Sequence, residues 1–159
     1  MKITILAVGK LKERFYKDAV AEYVKRLSAY CTLDIVEVAD ERTKENLTEA
    51  ERKLILDREA DRIFERIPER SCVVALCIAA RQRSSEEMAQ WLRDRMSAGN
   101  SHITFLIGGS VGLSERVIQR AQEQLSFSAL TFPHQLMRVI LAEQLYRWFR
   151  IMRGEPYHK

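Results

Sequence analysis

Two short turns in the last third of the sequence carry residue types suited to ligand binding. Phe105-Leu106-Ile107 runs into Gly108-Gly109-Ser110-Val111-Gly112, and Ser128-Ala129-Leu130 runs into Thr131-Phe132-Pro133-His134. Glycine lets a ligand approach the main chain and opens positive φ, and a helix following such a turn begins with N–H groups that lack partners. Turns of this kind after buried strands suit a nucleotide-like ligand. A third set of polar groups, Pro156-Tyr157-His158-Lys159, supplies side chains that no apolar core requires.

The spacing narrows the chemistry. Gly108-Gly109-x-x-Gly112 is not the dinucleotide fingerprint: it follows a late strand, and no acidic residue ends a strand about 20 residues further on. The phosphate loop with its lysine is absent. The turn is therefore either structural or a backbone contact to a ligand whose phosphate need not be neutralised. His134, beside Pro133 at a helix start, reads equally as a capping residue or a site residue. Neither His134 nor His158 has a serine or cysteine in a nucleophile turn, and the three histidines lack metal-ligand spacing, so hydrolase and metalloenzyme readings fall away. Cys31, Cys72 and Cys77 form an odd set without ligand spacing and are expected as reduced core residues.

These groups must be positioned by something, and periodicity predicts what. Lys2 to Val8 reads as a buried strand, followed by a helix whose face carries Phe15, Tyr16, Ala19, Val20, Tyr23, Val24 and Leu27. Leu33 to Val38 reads as a half-exposed or edge strand. Thr48 and Glu51 form a capping box that opens a helix with a stripe of Ala50, Leu54, Ala60, Ile63, Phe64 and Ile67, ended by Pro68. Cys72 to Ile78 is continuously apolar, as a central parallel strand would be. Ser84 and Glu87 open a helix presenting Met88, Leu92 and Met96, and Ile103 to Ile107 is the next strand. Ser114 caps a helix expected to reach about Gln124, Phe127 to Leu130 is a short strand, and Gln135 to about Arg153 is a long final helix. Five strands alternating with five helices predict an α/β fold, a three-layer α/β/α sandwich with a mostly parallel sheet. Ligands in such sheets bind beyond the carboxyl ends of the strands, which gathers Leu76 to Ala80, Gly108 to Gly112 and Leu130 to His134 around one crevice.

Composition is consistent with this. The 159 residues, 47% hydrophobic and 30% charged, fit one domain spanning 1–159. The longest apolar run, Cys72 to Ala80, is far short of the roughly 18 residues of a membrane span, and no secretory cleavage pattern follows Met1 to Leu11, so a cytoplasmic protein without membrane contact is expected. The net charge of +4 is uneven: residues 40–70 hold ten acidic against eight basic side chains, whereas 138–159 hold five basic against two acidic. That basic excess is either a solvated helix face or a phosphate-contacting surface.

Taken together, the motifs resemble a known family. Val8-Gly9-Lys10-Leu11-Lys12, Glu22-Tyr23-x-Lys25-Arg26-Leu27, Phe105-x-Ile107-Gly108-Gly109-Ser110-x-Gly112, Thr131-x-Pro133-His134-x-Leu136-x-Arg138, Glu143-Gln144-x-Tyr146-Arg147 and Pro156-Tyr157-His158-Lys159 resemble, end to end, the bacterial ribosomal large-subunit pseudouridine N(3)-methyltransferases of the SPOUT class. The resemblance implies an α/β knot fold with a carboxyl-terminal trefoil knot and a homodimer. It also implies S-adenosylmethionine as cofactor and 23S ribosomal RNA of the assembled ribosome as substrate. By position it implies that Leu76, Gly108, Phe127, Ser128, Ala129, Leu130, Thr131 and Phe132 line the cofactor site. Arg138, Arg147, Lys159 and His134 would face the RNA, with Tyr157 and His158 as catalytic residues and no metal. His158 would accept or help place the imide proton, and Tyr157 would stack on or hydrogen-bond the base. The chain departs from the family pattern at Cys77 and Ala80, where relatives carry an acidic residue and a glycine. Two competing expectations are an RNA methyltransferase of different specificity on the same fold, and an RNA-binding module that uses no cofactor.

Overall fold

The computed structural model describes residues 1–159. Ten elements alternate: β1 (Lys2–Val8), α1 (Arg14–Leu27), β2 (Thr32–Val38), α2 (Glu49–Phe64), β3 (Cys72–Leu76), α3 (Ser85–Ser97), β4 (His102–Ile107), α4 (Glu115–Arg120), β5 (Glu123–Leu125) and α5 (His134–Met152). The strands form one sheet in the order β2-β1-β4-β3-β5, every neighbouring pair parallel. Ile5 lies opposite Ile35 on one side and Phe105 on the other, and Phe105 in turn faces Val74.

Alternation along the strands divides the core between two faces. Ile3, Ile5 and Ala7 pack with Val74 and Phe105 under Leu27 of α1, Met88 and Leu92 of α3, and Leu141, Leu145 and Trp148 of α5. Leu6, Val8, Val73 and Leu106 point the other way, against Ala60 and Ile63 of α2 and Val117 of α4. Three layers result, as expected from strands hydrophobic on both sides. No helix is long and apolar enough to cross a membrane.

Local signals set most boundaries. Thr48 and Ser84 each accept a hydrogen bond from the backbone N–H three residues on, and Glu51 and Glu87 return the bond, so both capping boxes are complete. Ser114 caps α4 by accepting the Val117 N–H, with no carboxylate to return the bond. β2, predicted half-exposed, is an edge strand.

Three local expectations are corrected. The final strand is Glu123–Leu125, not Phe127 to Leu130, and α4 stops at Arg120 rather than near Gln124. Gln122 sets both: its N–H donates to the Val73 carbonyl at 3.0 Å and its side-chain oxygen accepts the Val73 N–H at 2.7 Å, drawing the chain onto the sheet. Beyond Leu125, Ser126 Oγ donates to the Ser128 carbonyl and Ser128 Oγ accepts the Leu130 N–H, local bonds that replace a strand ladder. On α2 the buried stripe is Ile55, Glu59, Ala60 and Ile63, whereas Leu54, assigned to the stripe by its spacing, is 52% exposed.

Candidate active site

The loops that leave the carboxyl ends of β3, β4 and β5 enclose a cavity of about 650 Å³, well within the range of small-molecule sites. Its walls are Leu76, Cys77 and Ile78; Ile107 to Gly112; and most of the stretch from Leu125 to His134, with Met137 and Arg52 completing it. Parallel strands place their carboxyl ends on one edge, so loops far apart in sequence meet there.

Glycine is required at the centre of this wall. A Cβ on Gly108 would stand 2.5 Å from the carbonyl carbon and oxygen of Gly112 and 2.9 Å from the Leu113 nitrogen, all backbone atoms that cannot swing away. Gly112 has φ +88°, a conformation that side chains disfavour. The Gly112 N–H closes the turn onto the Gly109 carbonyl at 3.1 Å, and Arg52 steadies its tip by donating to the Val111 carbonyl. The β3 loop is tied to the β5 loop by the Cys77 N–H on the Leu125 carbonyl and the Ser126 N–H on the Arg81 carbonyl. The departures at Cys77 and Ala80 are accommodated in a turn closed by the Ala80 N–H on the Cys77 carbonyl. Cys31 and Cys72 are buried, but Cys77, also expected in the core, is half-buried in the cavity wall.

Of the eight residues assigned to this wall from the sequence, Leu76, Gly108, Phe127, Ser128, Leu130, Thr131 and Phe132 line the cavity and Ala129 does not. Ser126, Arg52 and Met137 were not assigned. Ser126 was obscured by the misplaced strand; Arg52 and Met137 project from helices whose placement periodicity does not reveal. His134 begins α5 in the cavity wall, where burial and the Arg138 charge hold its imidazole below the ordinary pKa.

Arg138 overturns its assignment to the RNA surface. Its side chain has 0% exposure, and its guanidinium donates to Glu37 at 2.6 Å and to the carbonyls of Val8 and Gly9 at 3.1 and 2.7 Å. It fastens α5 to the carboxyl ends of β1 and β2. The remaining basic charge near the end of the chain is also largely paired: Arg150 with Glu155 at 2.7 Å, and Arg153 over the Tyr30 ring at 4.5 Å. Lys159 is exposed.

Tyr157 and His158 belong to a separate cluster at the carboxyl-terminal part of α5. Glu143 Oε1 accepts from Arg147 at 2.6 and 3.0 Å and from the Tyr157 hydroxyl at 3.1 Å, and the Arg147 guanidinium lies 4.8 Å from the Tyr157 ring centroid. His158 Nδ1 faces Arg147 at 3.3 Å and Nε2 faces Glu86 at 2.7 Å. Bonds from its own backbone N–H and from Ser84, with His158 third, pull the Glu86 carboxyl down to about 2. Burial first, then hydrogen bonding to Tyr23, raises the Tyr157 phenol, so it stays protonated and donates. Neither Tyr157 nor His158 lines the cavity. No group of three or more His, Cys, Asp or Glu side chains is arranged to hold a metal ion.

A family model described as "Predicted SPOUT methyltransferase" matches residues 1–158. The chain belongs to this family. Relatives named "Ribosomal RNA large subunit methyltransferase H" are 53% identical in Bacillus pumilus and 52% identical in Bacillus cereus, each over 159 residues and all of both chains. Among solved structures, a probable methylase family protein from Haemophilus influenzae superposes with a TM-score of 0.53 at 12% identity, covering 99% of this chain and 70% of its own. That likeness is one of fold. The five-stranded parallel sheet is thus the SPOUT methyltransferase fold, and the loop cavity belongs to a methyltransferase.

Proposed function

We propose that this SPOUT methyltransferase transfers a methyl group from S-adenosylmethionine to N(3) of a pseudouridine in 23S ribosomal RNA, acting on assembled ribosomes in the cytoplasm. The carrying observation is the cavity at the carboxyl edge of the sheet, one wall of which is a glycine turn folded so closely on itself that a Cβ at Gly108 would strike the Gly112 peptide. The full-length relatives named for large-subunit ribosomal RNA methylation supply the substrate class. In this reading residues 1–159 act as one domain, with the loops around the cavity forming a trefoil knot as in the family.

The cavity fits the cofactor in size and chemistry. Leu76, Gly108 and the Phe127–Phe132 stretch without Ala129 would hold the adenosine part, the glycine turn and the Ser126–Leu130 loop offering main-chain donors and acceptors for the edges of a purine. When bound, S-adenosylmethionine supplies an electrophilic methyl carbon on a positively charged sulfur. Everything else is positioning: the acceptor nitrogen must be held in line with that carbon at roughly 3–3.5 Å and shielded from water.

The tail supplies the acceptor's side of the reaction. N(3) carries a proton that must leave before its lone pair can form the N–C bond. We assign His158 to accept it or to place the group that does. Tyr157, kept protonated, donates a hydrogen bond to the base, while Arg147 and Lys159 meet the RNA backbone. Because Tyr157 and His158 lie outside the cavity of their own protomer, a homodimer in which each tail completes the partner's cavity is the arrangement that reunites them.

The test has two arms. Purified protein titrated calorimetrically with S-adenosylmethionine should bind it and gain thermal stability. Ribosomes from a strain lacking the enzyme should acquire one methyl group in the large-subunit RNA, and bulk transfer RNA none. No binding heat, or ribosomes left unmodified, ends this reading; methylated transfer RNA would indicate a different specificity.

A further inference from the structure

One buried acid beside the cavity has no direct ion-pair partner, only the more distant charge of Arg62. Glu59, in the middle of α2, is 3% exposed. One carboxylate oxygen, Oε1, accepts the Glu41 N–H at 2.9 Å. The other, Oε2, is buried without any hydrogen-bond partner. An ionised or polar atom in that position costs folding free energy, so a function is a reasonable account of its presence.

Its surroundings indicate what that function is. A Cβ built on Gly109 would lie 3.4 and 3.5 Å from the two Glu59 oxygens, so the carboxylate rests against the glycine turn from behind, while the turn's other side lines the cavity. The neighbouring cations are committed elsewhere. Arg62 donates to Glu41 at 2.7 Å and to the Ala39 carbonyl, Arg58 approaches Glu41 at 3.9 Å, and Arg138 is taken by Glu37. Asp40 adds a further negative charge from the loop after β2, and His134, from the start of α5, has its pKa lowered and so carries little positive charge near neutral pH. The glycine turn itself contributes no charged side chain, and Arg52, the cation on the cavity wall, is turned to the Val111 carbonyl at the tip of the turn. The floor behind Gly109 is therefore biased negative, and burial together with Asp40 pushes the Glu59 carboxyl above its ordinary range, a bias that a nearby cation relieves.

We propose that Glu59 is the charge-selecting residue of this cavity: its unpartnered carboxylate, held behind Gly109, favours a positively charged ligand and so discriminates a sulfonium methyl donor from the neutral thioether left after transfer. This rests on the cavity being the donor site. Methyl transfer breaks the S–C bond and returns its electron pair to sulfur, so the positive charge disappears from the cavity in the step that makes product. A fixed negative charge then holds substrate and loosens product without touching either.

The experiment is calorimetric titration of the full-length protein and of Glu59→Gln with S-adenosylmethionine and with S-adenosylhomocysteine near neutral pH. Gln keeps the shape and can still accept the Glu41 N–H. The variant should weaken the sulfonium ligand by about fivefold or more while leaving the thioether within about twofold. An equal loss for both ligands would reduce Glu59 to a structural brace, and no change for either would likewise overturn the inference while leaving the donor site intact. Wild-type protein that binds neither ligand overturns the site itself, and the inference with it. Should Glu59→Gln fail to hold its fold in a thermal melt, wild-type protein is titrated with the amine analogue of the donor, in which a protonated amine replaces the methylsulfonium. Tighter binding of that amine than of the thioether is expected; parity or weaker binding overturns the proposal.

Discussion

At the cavity, where half of the lining residues are hydrophobic, the loops are fixed through the backbone: the Gly112 N–H closes the glycine turn on the Gly109 carbonyl, and the Cys77 N–H ties the β3 loop to the Leu125 carbonyl. At the tail, the contacts are made mostly by side chains, with Glu143, Arg147, Tyr157, His158 and Glu86 linked in a partly solvated chain. The first arrangement is rigid and intolerant of added atoms. The second is held by charge-assisted bonds that can be exchanged for bonds to a substrate or a second subunit at little cost. A methyltransferase that grips a small methyl donor and meets a large RNA needs both kinds of surface, and they lie on different parts of this chain.

The sharpest way to break this contrast is at Gly108. Gly108→Ala forces a methyl group into the Gly112 peptide, with no flexible side chain available to yield. Overpacking of this kind costs about 1–3 kcal/mol even where side chains can move. Binding of S-adenosylmethionine is expected to fall by at least about a hundredfold in calorimetry, the equivalent of roughly 2.7 kcal/mol. Binding near the wild-type level would mean that the turn does not form the cradle.

Arg138→Ala should come next, and should act on stability rather than on RNA. Removing the guanidinium strands Glu37 and two carbonyls, and breaking a buried ion pair typically costs about 3–5 kcal/mol. Glu37 is partly exposed, so the lower end, near 3 kcal/mol, is expected, lowering Tm by roughly 6–12 °C in a chain of this size. A variant that melts like wild type but loses RNA affinity would reverse the reading of Arg138.

This residue also marks the boundary of what the sequence discloses. β1 runs over the predicted Lys2 to Val8, and both capping boxes form as predicted, because those signals are local in sequence. A buried arginine and a solvated one look identical in sequence; Arg138 is distinguished only by partners 101 to 130 positions away. The last strand fails for the same reason, since Gln122 is recruited by Val73 rather than by any alternation of its own. Glu59 was within reach: Ile55, Glu59 and Ile63 fall four apart, which places the acid on the buried stripe. The order of the strands, and with it the meeting of three loops at one edge, is set by packing that no single segment encodes.

Within the tail, His158→Ala should lower the single-turnover methylation rate by about a hundredfold, the lower range for loss of a general base, while donor binding changes less than about twofold. Tyr157→Phe removes one hydrogen bond but keeps the ring against Arg147, and should cost about tenfold. Equal losses of donor affinity in these variants would merge tail and cavity into one site and abolish the contrast.

The smallest effect separates the regions by the sign of their pH dependence. Glu86, in the tail cluster, has a folded pKa of about 2, below its unfolded value near 4.5, so its contribution to stability is present above pH 4.5 and is lost as pH falls toward 2. Glu59, behind the cavity, has a folded pKa raised above 4.5, so its contribution is fully present below pH 4.5 and is lost as pH rises through the raised value. Thermal melts followed between acid and neutral pH should therefore diverge: Glu86→Gln flattens the acid-side fall in Tm, whereas Glu59→Gln melts no lower than wild type at neutral pH and loses any advantage on acidification. Glu86 is exposed, so its effect should shrink in high salt, while the effect of buried Glu59 should not. Parallel pH profiles for the two variants would show that Glu59 is not carrying an uncompensated charge, and the difference between cavity and tail would then reduce to sterics alone.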